Sequence, residues 1–177
     1  MKSLTQYISE KLIIKNKSNN YKYFPKTKLE LEGIIRKRIK EEGNNVDLND
    51  IDTSKITDMS NLFEYLKFFN GDISRWDVSN VNDMSCMFYH CKSFNQDLSR
   101  WDVSNVNDTA GMFYGCKLFN QDISNWDVSN VTDMINMFYG CKSFNQDIST
   151  WDVSNVKDYI YAFDSCPINK KYKPKFK

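Results

Sequence analysis

Apolar residues recur along most of the chain with a period of 25 residues. The clearest unit is I-S-N-W-D-V-S-N-V-T-D-M-I-N-M-F-Y-G-C-K-S-F-N-Q-D, from Ile123 to Asp147. Three rows of side chains keep this spacing: Trp76, Trp101, Trp126 and Trp151; Phe88, Phe113, Phe138 and Phe163; and Cys91, Cys116, Cys141 and Cys166. A weaker first copy has Ile51, Phe63 and Leu66 in the same register. Such self-similarity is typical of a repeat stack, in which each coil buries its apolar face against its neighbours.

One half of the unit has the spacing of an amphipathic helix. Its apolar residues fall at i, i+3, i+4 and i+7, namely Met134, Met137, Phe138 and Cys141. The position before this half is mostly an N-cap residue type, in the row Thr57, Asn82, Asn107, Thr132 and Lys157. An aspartate always follows, in the row Asp58, Asp83, Asp108, Asp133 and Asp158, and we expect it to stabilise the helix start.

The other half of the unit alternates between apolar and polar positions. Trp126 and Val128 alternate with the polar Ser124, Asp127 and Ser129, which predicts a short strand with the Trp row facing inward. One strand and one helix per coil predict an α/β solenoid of leucine-rich-repeat type. Short parallel strands would line one side and short helices the other, with an N-terminal helical cap.

The residues before the repeats predict two helices. Leu4, Tyr7, Ile8 and Leu12 have helical spacing within residues 1–14, and a polar linker follows. A second helix should run from Thr27, a candidate N-cap, to Gly43 and cover the open end of the stack. The predicted organisation is an amphipathic helix and linker (1–24), a helical cap (25–50), five repeats (51–166) and a basic tail (167–177).

The net charge of +1 conceals an uneven distribution. Residues 51–166 contain 8 Lys and Arg against 16 Asp and Glu, while the tail from Pro167 adds five lysines and no acidic residue. The chain has no apolar run long enough to span a membrane, no apolar segment typical of a signal peptide and no lipobox. These features predict a cytoplasmic protein.

Four of the five cysteines occupy one row, where Leu66 stands in the first copy. A position that accepts Leu favours an apolar filler over a thiolate. A straight ladder of sulfur atoms, one per coil, also gives poor disulfide geometry and cannot surround a tetrahedral zinc ion. We therefore expect free cysteines in the core, with disulfides and a metal site as the less favoured alternatives.

The repeat resembles the 25-residue variant of the BspA-like leucine-rich repeats, which recur in bacterial surface lipoproteins and phage-encoded proteins. The matching motif is F-N-Q-D-I-S-x-W-D-V-S-N-V-x-D-M-x-x-M-F-Y-x-C, and it covers residues 51–166 almost without gaps. The resemblance implies that Ile123, Trp126 and Val128 face inward from the strand. It also implies a ligand-binding or adhesive scaffold and not an enzyme. A surface or virion-associated location is a further expectation from the resemblance.

The candidate binding surface consists of two rows on the predicted strand side. One row varies in residue type: Arg75, Arg100, Asn125 and Thr150. The other row, two positions further on, is invariant: Asp77, Asp102, Asp127 and Asp152. Repeated identity within one sequence indicates structural duty, so these aspartates are expected to bond backbone amides in a turn. Variation favours a role in specificity for the first row, on a concave surface that binds a protein partner.

Other chemistries find less support. The rows Asn70, Asn95, Asn120, Asn145 and Asp72, Asp97, Asp122, Asp147 could suggest calcium, but hydrogen-bonded asparagine ladders between coils are the favoured interpretation. The tyrosines Tyr89, Tyr114 and Tyr139 should half-cover the apolar face. His90 stands alone in its row and is expected to be a surface bystander, since no nucleophile and base converge. Acidic repeats also disfavour nucleic acid.

The sequence therefore predicts a non-enzymatic protein-interaction module, with no cofactor, no metal and no catalytic residue. The alternative is a structural or adhesive component of a virion or cell-surface assembly, attached through the N-terminal helix. The sequence identifies neither the partner nor the oligomeric state.

Overall fold

The computed structural model describes residues 21–176. In this part of the chain the regular elements are one α-helix, α1 (Lys28–Glu42), and a short 3-10 helix (Lys170–Tyr172). Extended pairing is limited to isolated parallel bridges such as Asp83 with Asp108 and Asp108 with Asp133. The helix predicted within residues 1–14 lies outside the described residues.

Helix α1 confirms the helix predicted between Thr27 and Gly43. The Thr27 hydroxyl accepts the amide of Glu30, and the Glu30 carboxylate reaches back to the amide of Lys26, which satisfies free donors of the first turn. Gly43 ends the helix with a φ of 91°, a conformation that favours glycine. The capping signals in the sequence therefore set both ends of α1.

Two kinds of contact attach α1 to the repeats. Leu31 and Ile35 are fully buried in the common core. Arg38 donates to the carboxylates of Glu42 and Asp50 and to the carbonyl of Asp47, and its guanidinium lies 5.3 Å from the ring centre of Tyr23. Because one buried cation binds three acceptors, α1 is fixed to the chain just before the first coil.

The repeats are coils made of tight turns. Numbered from the apolar residue three positions before the Trp row, the coils span 48–72, 73–97, 98–122 and 123–147, and the fifth begins at Ile148. The fourth coil closes six turns, in each of which the amide of residue i+3 donates to the carbonyl of residue i. These turns start at Ile123, Val128, Met134, Asn136, Phe138 and Cys141.

The prediction of a short helix in every coil is wrong. Two positions per coil adopt positive φ, for example 57° at Asn136 and 69° at Gly140, and such residues interrupt a right-handed helix. They sit third in turns that begin at Met134 and Phe138, where type II turns favour Gly or Asn. The row from Asp58 to Asp158 therefore caps no helix, and Asp133 instead accepts the amide of Ile135 within a turn.

The predicted strands are also absent from residues 21–176, so the chain is not an α/β solenoid with parallel strands. The alternation of Trp126 and Val128 lies between two tight turns, one ending at Trp126 and the next beginning at Val128. This leaves too few extended residues to form a ladder. The inward placement is nevertheless correct, because both side chains are buried.

Successive coils are joined side by side through their backbones. In the fourth coil, the amides of residues 134, 136, 138 and 140 donate to carbonyls of residues 158, 160, 162 and 164 at 2.8–2.9 Å. One bond runs the other way, from the amide of Lys157 to the carbonyl of Thr132. The same set recurs at each earlier interface, so every coil is held in register with the next.

The interior is a set of parallel rows, one residue per coil. The rings of Phe113 and Phe138 stack at 5.4 Å, and those of Trp101 and Trp126 at 6.5 Å. The Trp126 indole N–H also donates to the carbonyl of Leu98 in the previous coil. These rows exclude water and carry directional bonds at the same time.

The cysteine row is free and, apart from the half-buried Cys166, buried, and it has a role that the sequence did not indicate. The Cys116 thiol donates to the carbonyl of Phe88 and the Cys141 thiol to that of Phe113, each at 2.9 Å. Burial raises the pKa of Cys91 to about 12 and keeps the thiol protonated as a donor. The thiols are therefore hydrogen-bonding groups as well as apolar fillers.

The predicted asparagine ladder is confirmed. The side-chain oxygen of Asn95 accepts the amide of Asn120, and that of Asn120 accepts the amide of Asn145, both at 2.9 Å. The Gln146 amide group adds a bond to the carbonyl of Asn120. Side-chain bonds thus join the coils around the asparagine row, whereas backbone bonds join them around residues 134–140.

The basic C-terminal tail packs on the fifth coil. The amide of Ile148 donates to the carbonyl of Tyr172, and Ile168 and Pro174 are buried. The ring of Phe176 stacks on Tyr159 at 4.1 Å. The tail therefore closes part of the C-terminal end of the core.

Candidate protein-binding surface

The predicted binding residues lie beside the buried tryptophans, on a surface that we call the Trp flank. The Trp flank comprises Arg75, Asp77, Arg100, Asp102, Asn125, Asp127, Thr150 and Asp152. All are exposed except Asp77, which is half-buried. A turn that closes from Ile73 to Trp76 puts Arg75 on the outside while the residues at its two ends enter the core.

The aspartates of the Trp flank are held in turns, as predicted. One carboxylate oxygen of each accepts the amide two residues further on, so Asp102 binds Ser104 and Asp127 binds Ser129. The Ser104 hydroxyl adds a bond to the same oxygen at 2.6 Å. These bonds from Ser129 lower the pKa of Asp127. Asp127 is therefore kept charged at neutral pH, and the turns fix the direction of the whole row.

The variable row has fewer contacts of its own. The Asn125 amide group donates to the carbonyl of Ser99, while Arg75 lies 3.9 Å from the carboxylate of Asp47 and keeps 60% of its side chain exposed. The side chains of Arg75 and Arg100 are thus available to a partner. The structure gathers these residues in one stripe that crosses four coils.

The sequence missed two features at the N-terminal end of the Trp flank. Tyr21 lies close enough to Asp52 and Asp77 that both add to the effect of burial in raising its pKa, and Arg75 opposes them. A shallow pocket of about 360 Å³ opens nearby, lined by Phe24, Pro25, Lys26, Asp52 and Lys55. Residues 21–27 gave no repeat signal because their sequence does not follow the 25-residue motif, although Tyr23 pairs with Ile51 of the first coil.

A second row of aspartates borders the same turns and makes the surface acidic. Its members each accept the amide two residues further on: Asp47, Asp72, Asp97, Asp122 and Asp147. Backbone and side-chain bonds from Ser124 lower the pKa of Asp122. Among residues 21–176, no group of three or more His, Cys, Asp or Glu side chains is arranged to hold a metal ion.

A different side of the stack displays stacked tyrosines. The rings of Tyr89 and Tyr114 lie 4.5 Å apart and those of Tyr114 and Tyr139 4.8 Å apart, and all three are half-buried as predicted. His90 fills the space over Gly115, where an added Cβ would lie 2.6 Å from its Nδ1 atom. Its pKa is lowered by burial and by Lys92. His90 is therefore a packed residue of this tyrosine row.

The described part of the chain contains no helix with both the length and the apolar composition that crossing a membrane requires.

Comparison with known proteins gives one match. A family model described as "Mycoplasma protein of unknown function, DUF285" matches residues 32–123 and 99–173. Together the two matches span the end of α1, all five coils and most of the tail. No curated protein and no solved structure matches the chain.

Proposed function

The chain belongs to the DUF285 family of Mycoplasma proteins of unknown function, and from its surface we propose that it is a non-enzymatic protein-interaction module. The observation that carries the proposal is the Trp flank. There, an exposed row of varying residues stands beside a row of charged residues whose direction the turns fix. Rigid, regularly spaced side chains lose little conformational entropy on binding.

The charges of this surface suggest how a partner is recognised. Two rows of carboxylates face solvent, and Arg75 and Arg100 stand among them near the N-terminal end. A complementary partner places basic side chains along the aspartates and a carboxylate against the arginines, since arginine binds carboxylates in a planar, two-bonded geometry. Charges of both signs in a fixed order select one partner over others.

The resemblance to BspA-like repeats supports the same proposal. That family implies a ligand-binding or adhesive scaffold, and the motif around Trp126 and Phe138 is the part of the chain that resembles it. We also propose that these repeats are related to the BspA-like family. The cytoplasmic location stays a prediction.

The test is the double charge reversal Arg75→Glu with Arg100→Glu. Both side chains are exposed and Arg75 has only one long ionic contact, so the fold should persist and the melting temperature should stay near that of the parent. A matched control reverses two exposed lysines outside the Trp flank, Lys67→Glu with Lys117→Glu. Both variants change the net charge equally.

The readout is capture of partners from an extract of the native host, identified by mass spectrometry. A partner that binds the parent and the lysine control but not the arginine variant supports the proposal. Equal capture by all three proteins contradicts it. Deletion of residues 1–20 tests the alternative of an assembly component attached through the N-terminal helix, because only that alternative predicts loss of association in the deletion.

A further inference from the structure

The four interfaces between coils share one pattern of donors and acceptors. On one side of each interface the amides of four alternating residues donate to carbonyls of the next coil. The third coil uses the amides of residues 109, 111, 113 and 115, and the fourth uses those of 134, 136, 138 and 140. Each coil therefore has a donor edge that faces the C-terminal end of the stack.

No hydrogen bond to the donor edge of the fifth coil is formed by the described residues. Its equivalent amides belong to Tyr159, Tyr161, Phe163 and Ser165, and none has a hydrogen-bond acceptor within residues 21–176. The tail passes close by, since Phe176 stacks on Tyr159, but it bonds to Ile148 and Asn145 on another side of the coil. A row of free amides in register is a template for adding a further segment of chain.

The side chains of this edge are apolar, whereas the capping repeats of such stacks usually have a polar outer face. Tyr159, Ile160 and Tyr161 are 41%, 55% and 58% exposed. In the fourth coil the same positions are Met134, which is buried, and Ile135 and Asn136, which are partly covered by the fifth coil.

Tyr161 departs from the repeat in residue type, at a position where every coil has positive φ. It adopts a φ of 55°, a conformation unfavourable for a bulky residue, where the first and fourth coils have Asn61 and Asn136. The fifth coil thus keeps an exposed aromatic residue at the expense of local strain.

Lysines surround the open edge. Lys157 precedes it, the Lys142 ammonium group donates to the carbonyl of Ser165 at its far end, and Lys173 lies 5.3 Å from the ring centre of Phe163. The tail from Pro167 contributes five lysines in all and no acidic residue. Asp158 and Asp164 also lie on the edge, but the lysines outnumber them. The edge therefore offers backbone donors, apolar contact and an excess of positive charge together.

We propose that the donor edge from Tyr159 to Ser165 binds an extended acidic segment of a partner protein, which adds to the stack as a further coil edge. Its carbonyls at alternate residues accept the four free amides, its apolar side chains cover Ile160 and Tyr161, and its carboxylates meet the lysines. This site lies apart from the Trp flank and does not depend on the function proposed there.

A second copy of the chain fits this edge less well. The complementary acceptor edge is the carbonyl row of the first coil, at residues 58, 60, 62 and 64. The start of α1 lies against it, with the Lys28 ammonium group 3.2 Å from the Asp58 carboxylate and 2.6 Å from the Ser60 hydroxyl. A coil from a second copy would meet α1 at this place.

Hydrogen exchange of the full chain tests the open edge. The amides of residues 134, 136, 138 and 140 should exchange slowly, while those of 159, 161, 163 and 165 should exchange rapidly. Slow exchange at the fifth coil at low protein concentration would overturn the proposal. Protection that appears only as the protein concentration rises would assign the edge to a second copy and overturn the acidic partner.

Binding is tested with a labelled peptide of sequence V-T-D-M-I-N-M-F-Y-G, that of residues 131–140, which supplies the segment that an additional coil would. The peptide should slow exchange at the four edge amides, and a scrambled peptide should not. A peptide carrying Thr132→Glu, which places a carboxylate beside Lys157 in the register of the other coils, should bind more tightly, and added salt should weaken the binding of that peptide. Equal binding of the scrambled peptide, or indifference to charge and salt, would contradict the proposed occupant.

The variant Ile160→Ser with Tyr161→Asn gives the edge the residue types that other coils have at these positions, such as Ser60 and Asn61. The substitution at residue 161 relieves backbone strain, so the variant should fold and bind the peptide at least about tenfold more weakly. The control Tyr65→Gly removes a tyrosine that is 64% exposed at the other end of the stack, and it should leave peptide affinity unchanged. Equal affinity in both variants would exclude this surface.

Discussion

The third and fifth coils come from the same repeat but differ in what lies beyond them. Every row of the third coil has a neighbour on both sides, so Phe113 stacks on Phe88 and on Phe138. In the fifth coil, Phe163 has the stacked ring of Phe138 on one side and only the tilted ring of Phe176 and the Lys173 ammonium group on the other. The stability of a coil is therefore a property of its two interfaces, and an end coil has half of that support.

The largest expected difference is in the Trp row. Trp126→Ala should destabilise the protein by roughly 3–5 kcal/mol, because the cavity borders Trp101 and Trp151 and the carbonyl of Leu98 loses one of its two donors. Trp151→Ala in the fifth coil should cost about 1 kcal/mol less, since the exposed end can collapse. Chemical denaturation measures both. Equal costs would show that position in the stack does not matter.

A smaller difference is expected in the cysteine row. Cys116→Ala removes a buried thiol and one of the two donors to the carbonyl of Phe88, which keeps the amide of Cys91, so it should destabilise by about 1–2 kcal/mol. Cys166→Ala should cost less than about 1 kcal/mol, because this thiol is only partly buried and its bond to the Phe144 carbonyl is 3.4 Å long. A thiol reagent under native conditions provides a second measurement, and Cys166 should react before Cys116.

The smallest expected effect concerns the aspartates that face the next coil. Burial raises the pKa of Asp108, and Asp83 and Asp133 on either side raise it further. Its ionisation therefore costs stability at neutral pH, and this cost disappears as pH falls through the folded-state pKa. Asp108→Asn, which keeps an oxygen for the Ala110 amide, should raise the melting temperature slightly at pH 7 and lose that advantage in acid.

Thermal melting of the Asp108→Asn variant between pH 7 and pH 4 checks the sign of this effect. Asp122 provides the contrast, because hydrogen bonds from Ser124 lower its pKa. The stability that Asp122 supplies is present above the unfolded-state pKa and is lost as pH falls through the lower folded-state pKa. A larger penalty for Asp108→Asn than for Asp122→Asn at pH 7 would contradict the assignment.

The repeat period allowed the inward rows to be predicted but not the backbone between them. Trp126 and Phe138 had to face the core because they recur once per coil, whatever the local conformation. The spacing of Met134, Met137, Phe138 and Cys141 fits a helix and two successive tight turns equally well. The signal that separates them is the recurrence of Gly and Asn in two rows, as at Asn136 and Gly140, where φ is positive.

The candidate surface was predictable to a similar extent. The Asp row could be assigned to turns because an aspartate followed by a polar residue two positions on is a common turn signal, and Asp127 with Ser129 confirms it. The open edge of the fifth coil could not be found in this way. Its amides belong to the backbone, so no residue type in the sequence marks them. They lack acceptors among residues 21–176 because no further coil lies beside the fifth in this part of the chain.

The bonds that Trp and Cys side chains make to the preceding coil also determine how the gene can change in length. Apart from the bond of Cys166, each reaches back 28 residues, so losing a single codon within a coil would shift every pair that spans the deletion out of register. Losing one whole unit, such as residues 101–125, would instead bring Trp126 to the carbonyl of Ile73, the acceptor that Trp101 has now. Recombination between repeats can therefore add or remove whole coils without disturbing the remaining ones.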